Sequence, residues 1–126
     1  MREAVIVSTA RTPIGRAYRG AFNNTEAPTL GGHPIAEAVR RAGVDPAEVE
    51  DVIMGCAMPQ GTQGLNIARL AGLAAGLPVT IGGMTVDRQC AGGLAAVTTA
   101  AAMVAAGQAT VVLAGGVESA SSAPPE

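Results

Sequence analysis

The sequence predicts an α/β domain of βαβαβαβ order built on a mostly parallel sheet. Three observations carry that expectation. Short β-branched apolar runs alternate with segments whose small apolar residues recur at helical spacing. Glycine or proline stands at most of the junctions between them. Between Arg88 and Glu118 no residue is charged, so a helix in this stretch lacks a solvated face and belongs against protein on several sides.

Residues 4–8 (AVIVS) read as a buried first strand ending in the turn-forming RTPIG of residues 11–15. The Gly, Asn, Thr and Pro that follow predict a loop through Leu30. Ile35, Ala38, Val39 and Ala42 then recur at helical spacing between Pro34, suited to a first turn, and Gly43, suited to a C-terminal stop. Asp45-Pro46-Ala47-Glu48 has the form of a capping box for a short helical turn, which leads to a second strand over residues 51–57. After a Gly-rich loop at 59–64, residues 65–75 read as a helix stopped by Gly76 and Pro78. Residues 84–86 follow as a third strand, 91–106 as a helix closed by Gly107, and 110–114 (TVVLA) as a fourth strand. Parallel strands joined by right-handed crossovers place a site at the strands' C-terminal ends.

With 126 residues the chain has room for one domain and one core. Its 14% charged content is well below the roughly 25% usual for soluble chains, so part of its surface is expected to face other protein. All the basic residues are arginines, the formal net charge is −2 and aromatics are nearly absent, which argues against a nucleic-acid partner. A membrane span is disfavoured because Gly92, Gly93, Thr98, Thr99, Gly107 and Gln108 interrupt the uncharged stretch. Cys56 and Cys90 make no C-x-x-C pair and no signal peptide precedes the first strand-like run, so a reducing, cytoplasmic setting is expected. No Gly-rich phosphate fingerprint and no clustered metal ligands stand in the sequence, so neither a metal nor a permanently bound cofactor is expected.

The chemistry concentrates in TVDRQCAGGL, residues 85–94, where a strand ends at Cys90 and Gly92 and Gly93 open a helix. A helix N-terminus presents unpaired N–H groups and partial positive charge, which favour a thiolate and an oxyanion formed by its attack on a thioester. The two glycines allow another backbone or a ligand to approach closely. Arg88 adds positive potential there or pairs with Asp87. On the residues alone two readings stand for Cys90, a nucleophile and an inert buried thiol.

Five stretches in order, EAVIVSTARTPIG (3–15), AGVDPAEVEDVIMGCAM (42–58), QGLNIARLA (63–71), TVDRQCAGGL (85–94) and VVLAGGVES (111–119), make the chain resemble the N-terminal half of the thiolases, the acetyl-CoA acetyltransferases and 3-ketoacyl-CoA thiolases. The resemblance implies that residues 1–126 are an incomplete N-terminal thiolase domain, without the family's loop domain and C-terminal half, forming half of an αβαβα five-layer sandwich with helix 91–106 in its buried middle layer. It implies that Cys90 carries the acyl group in transfer between coenzyme A thioesters. The partners it implies are a coenzyme A thioester substrate and either further copies of the chain or a C-terminal thiolase half. The family's activating histidine, in Gly-His-Pro, and second cysteine, in Cys-x-Gly, belong to that C-terminal half. Gly92 stands where the family commonly has Ser, and Ala95 where Gln or Arg is frequent. Gly32-His33-Pro34 spells the histidine motif but opens the first predicted helix, where His33 is expected at the surface. Cys56 is expected as a packed core thiol, Asn66 and Arg69 as capping or bridging groups, and Glu118 and Ser119 at a strand end, either lining a pocket or ordinary polar surface.

Overall fold

In the computed structural model, which describes residues 1–123, three parallel strands carry the fold; the last three residues of the expected domain lie outside the described residues. Strand β1 (Asp51–Gly55) is central, with β2 (Met84–Val86) on one side and β3 (Val112–Gly116) on the other. The registers set Ile53 beside Met84 and Asp51 beside Val112. Parallel pairing requires a crossover each time, and these are helix α2 (Ile67–Ala74), between β1 and β2, and helix α3 (Gly92–Ala105), between β2 and β3. Helix α1 (Ala27–Ala42) precedes the sheet in the chain. The parallel α/β architecture anticipated from the alternation therefore forms.

The two-residue period of β1 divides the core. Val52 and Met54, followed by Cys56, pack with Ile35, Val39, Ile67 and Ala71, so α1 and α2 cover one face. Ile53 points the other way and packs with Ala96 and Ala100 of α3. Only Gly92, Ala96 and Ala100 of α3 are buried, a single stripe at i, i+4 spacing, while Leu94 is 69% exposed. The charge-free helix thus buries one stripe against the sheet, exposes Leu94, Thr98 and Ala102, and keeps its other residues half-buried in this chain. Among the described residues no helix is long and apolar enough to cross a membrane.

Helix α1 begins at Ala27, well before the predicted start after Pro34. Pro28 costs nothing in a first turn, and the Thr62 hydroxyl accepts the otherwise free Ala27 N–H at 3.1 Å. Pro34 lies inside the helix and forfeits the bond to the Leu30 carbonyl. Tight packing on α2 offsets the loss: Gly31 and Gly32 are buried, and a Cβ at 32 would stand 3.1 Å from the Ala71 carbonyl oxygen. Gly43 ends the helix in the left-handed conformation, as its position suggested. The capping box also forms, with Asp45 Oδ1 accepting Ala47 N–H at 2.9 Å and Glu48 Oε2 accepting Asp45 N–H at 3.3 Å.

Residues 4–8, expected as the first strand, do not join the sheet. Val5, Ile6 and Val7 are 72%, 75% and 72% exposed. The run is pinned at its ends instead: Arg2 N–H donates to the Ala105 carbonyl at 3.3 Å, Ser8 Oγ to the Ala38 carbonyl at 2.8 Å, and Arg41 Nη1 to the Thr9 carbonyl at 2.8 Å. Those anchors belong to the two helical layers, so the run stands off from β3, and a cavity of about 1130 Å³ separates the two. The other strands shift slightly. β1 stops at Gly55, and β3 starts at Val112, just after Thr110 N–H donates to Glu50 Oε1 at 2.9 Å.

Candidate active site

Strand β2 ends at Val86, and the next four residues make a sharp elbow into α3. Asp87 Oδ1 accepts Gln89 N–H at 2.9 Å, Ala91 N–H donates to the Arg88 carbonyl at 3.0 Å and Gly92 N–H to the Gln89 carbonyl at 3.1 Å. Gln89 is left-handed at φ 51°, a conformation that costs a non-glycine residue roughly 1–3 kcal/mol. Cys90 sits at the apex and is exposed. Because the turn consumes the Ala91 and Gly92 N–H groups, the oxyanion donors expected from the start of the helix are not these two. Arg88 makes no ion pair with Asp87, whose carboxylate serves the elbow.

The glycines explain how α3 reaches this position. A Cβ placed on Gly55 would lie 2.1 Å from the Gly92 carbonyl carbon, and one on Gly116 would lie 3.3 Å from both Gly55 O and Gly93 Cα. The first turn of α3 therefore rests directly on the backbones of β1 and β3. The close approach that Gly92 and Gly93 suggested is made by the sheet, and Gly55 and Gly116 are its unrecognised halves. At position 92, where the family commonly has Ser, a Cβ would stand 3.0 Å from Gly55 Cα.

Cys56 is a packed core thiol, as expected, at 2% exposure. Burial, seconded by the Glu118 charge, pushes its pKa up to about 11. Its Sγ donates to Glu118 Oε2 at 3.7 Å. The same carboxylate accepts Ala57 N–H at 2.7 Å, Met58 N–H at 3.2 Å and Gln63 Nε2–H at 3.1 Å. Glu118 thus ties the end of β1 to the turn Gly61–Gln63, with its oxygens occupied by structural bonds. Gln63 is fully buried; it also donates to the Met58 carbonyl at 2.8 Å and accepts Ser119 N–H at 2.5 Å. A glutamine in a Gly-rich loop reads as solvated, so only the fold exposes this role. Iodoacetamide near neutral pH is expected to label Cys90 well before Cys56, since the latter is both buried and held as the neutral thiol. Peptide mapping that found Cys56 modified first would reverse the two roles.

Asn66 and Arg69 act in structure. Asn66 Oδ1 caps α2 by accepting Arg69 N–H at 3.3 Å and also accepts the Thr85 hydroxyl at 2.7 Å, while its Nδ2 donates to the Gly83 carbonyl at 2.8 Å. The Arg69 guanidinium donates to the carbonyls of Val79 and Ile81. His33 is exposed on α1, in the layer across the sheet from α3, and is not brought to Cys90. Among the described residues no group of histidine, cysteine or carboxylate side chains could hold a metal ion.

Comparison with known proteins fits this geometry. The family model for the thiolase N-terminal domain matches residues 4–126. The 3-ketoacyl-CoA thiolase of Bacillus subtilis is 44% identical over 124 residues, covering 98% of this chain and 32% of its own length. The acetyl-CoA acetyltransferase of Cupriavidus necator is 45% identical over 124 residues, covering 98% of this chain and 31% of its own. The crystal structure of the Bacillus anthracis acetyl-CoA acetyltransferase superposes with a TM-score of 0.92 at 44% identity, over 98% of this chain and 31% of that one. The chain spans about a third of the length of these relatives, and it belongs to the thiolase family, its match lying in that family's N-terminal domain.

Proposed function

We propose that Cys90 is the acyl-accepting nucleophile of a thiolase that transfers acyl groups between coenzyme A thioesters. The observation that carries this reading is the exposed thiol on an elbow between β2 and α3, after a left-handed Gln89. Such an elbow lifts a side chain off the sheet's C-terminal edge, where parallel α/β folds bind ligands. In thiolysis of a 3-ketoacyl-CoA, the Cys90 thiolate bonds to the keto carbon and the bond between that carbon and the next one breaks. Its electron pair stays on the departing acetyl-CoA, which takes up a proton. Coenzyme A thiolate then attacks the Cys90 thioester, and acyl-CoA leaves as the cysteine is freed. In condensation the same thioester, formed from acetyl-CoA, is attacked by the carbanion of a second acetyl-CoA. No resident cofactor takes part; coenzyme A thioesters are substrates. The base that draws these protons is assigned to the C-terminal polypeptide, since His33 lies in the other helical layer.

A second reading follows from the chain's coverage of about a third of its relatives: alone it is one wall of a site and turns nothing over. Intact-mass analysis after exposure to acetyl-CoA, with coenzyme A release followed alongside, tests both. With a C-terminal thiolase half present, one acetyl group is expected, mapped to Cys90 and discharged by added coenzyme A; without that half, no turnover is expected. Acetylation on Cys56, or none in the assembled protein, would overturn the assignment.

A further inference from the structure

Gln89, the residue before Cys90, is left-handed at φ 51°, and nothing on its helix side lets it relax. The Arg88 and Gln89 carbonyls accept the N–H groups of Ala91 and Gly92, and Gly92 rests on the Gly55 backbone, so the turn requires that conformation. What holds it comes from the strand side, where Asp87 Oδ1 accepts Gln89 N–H at 2.9 Å. Asp87 is itself anchored by β2. The Val86 carbonyl accepts Cys56 N–H at 3.0 Å, while the Thr85 hydroxyl donates to Asn66 Oδ1 at 2.7 Å and accepts Ala68 N–H at 3.0 Å. One side-chain bond therefore links a braced strand to the strained residue beside the thiol.

Taking Cys90 as the acyl acceptor, the reading on which this rests, we propose that Asp87 is a positioning residue for acyl transfer. It aims the thiol by holding Gln89 left-handed, and it does so as a hydrogen-bond acceptor and not through its charge. Without the bond, Gln89 gains by returning toward negative φ, and a backbone rotation at 89 swings the Cα–Cβ bond of the next residue. The displaced thiol still reacts with a small free reagent. It leaves the line of attack on a thioester fixed by other groups, where a shift of about 1 Å costs about a hundredfold. A carboxylate three residues before a thiol has a rival use, taking the thiol's proton. That use needs the charge, whereas the turn needs only the oxygen, and two substitutions separate them. Asp87→Asn keeps Oδ1 as an acceptor and removes the charge. Gln89→Gly removes the conformational cost, since glycine visits positive φ freely, and so makes the Asp87 bond dispensable.

The test is the rate of Cys90 acetylation by acetyl-CoA, read by peptide-mapped mass in the protein assembled with its C-terminal half, with iodoacetamide labelling of Cys90 measured on the same variants. Asp87→Ala is expected to slow acetylation at least about tenfold and to change iodoacetamide labelling less than about threefold. Asp87→Asn is expected to stay within about threefold of wild type in both. Gln89→Gly added to Asp87→Ala is expected to bring acetylation back to within about threefold of wild type, a rescue that general destabilisation would not show. Wild-type acetylation in Asp87→Ala, a loss in Asp87→Asn as large as in Asp87→Ala, or no recovery in the double variant would each overturn the proposal. If Asp87→Ala alone does not fold, Asp87→Asn and the double variant decide, since both must acetylate near the wild-type rate. Cys90→Ser in the same assay keeps the two readings apart. Acetylation of that variant elsewhere at the wild-type rate would remove the nucleophile's role from Cys90, whereas the outcomes above, with Cys90 still the acetylated residue, count against Asp87 alone.

Discussion

In the protein assembled with its C-terminal half, Cys90→Ser is expected to lower acyl transfer by at least about a thousandfold, and Cys56→Ser to leave most of it. The elbow would carry a serine with the same backbone, so the loss reports chemistry and not folding. A serine hydroxyl ionises far less readily than a thiol, and the chain's histidine, His33, lies in the other helical layer and is not placed to activate it. Cys56 has the opposite setting. Its thiol is 2% exposed, kept neutral to a pKa of about 11 and donates to Glu118, a bond that a serine hydroxyl can also make. The check is the rate of coenzyme A release from both variants, with peptide-mapped acetylation alongside. Equal losses in the two would withdraw the nucleophile's role from Cys90.

The two cysteines show what pattern alone makes legible. A thiol between a β-branched run and a Gly-Gly helix start was readable as a turn at a strand's C-terminal end, and a thiol inside an apolar strand was readable as core, because both statements depend on local period and punctuation. The strands at 51–55 and 84–86 and the helix at 92–105 follow from the same signals. Three features did not. The start of α1 at Ala27 depends on Thr62, distant in sequence, accepting a helix N–H, and on Gly31 and Gly32 meeting α2, so the local Gly and Pro content pointed the other way. Residues 4–8 have every local mark of a strand but find no edge within bonding reach, since pairing is a tertiary event. Gln63 is polar in a polar loop, and only the folded position of Glu118 and Ser119 makes it a buried hub.

The backbone contact beneath the elbow leads to the second large effect, at a residue that does no chemistry. Gly55→Ala places a methyl group 2.1 Å from the Gly92 carbonyl carbon and 2.5 Å from Gly92 Cα, both backbone atoms that no rotamer change can move aside. Either β1 or the first turn of α3 must shift by about 1 Å to restore ordinary contact, and overpacking of this kind costs about 1–3 kcal/mol. Cys90 lies two residues before Gly92, so the shift reaches the thiol, and a displacement of about 1 Å in a reacting group costs about a hundredfold in rate. Gly93→Ala is the matched control. Sequence alone ranks Gly93 beside Gly92, yet a Cβ there meets nothing nearer than Gly116 N at 3.9 Å. Alanine also suits a helix better than glycine does, by about 1 kcal/mol. In the assembled protein Gly55→Ala is therefore expected to lose both thermal stability and about two orders of magnitude in kcat, while Gly93→Ala keeps kcat and holds or gains stability. Loss of activity in Gly93→Ala with Gly55→Ala unaffected would mean that the glycines admit a ligand at the helix start, and that the sheet is not what seats the elbow.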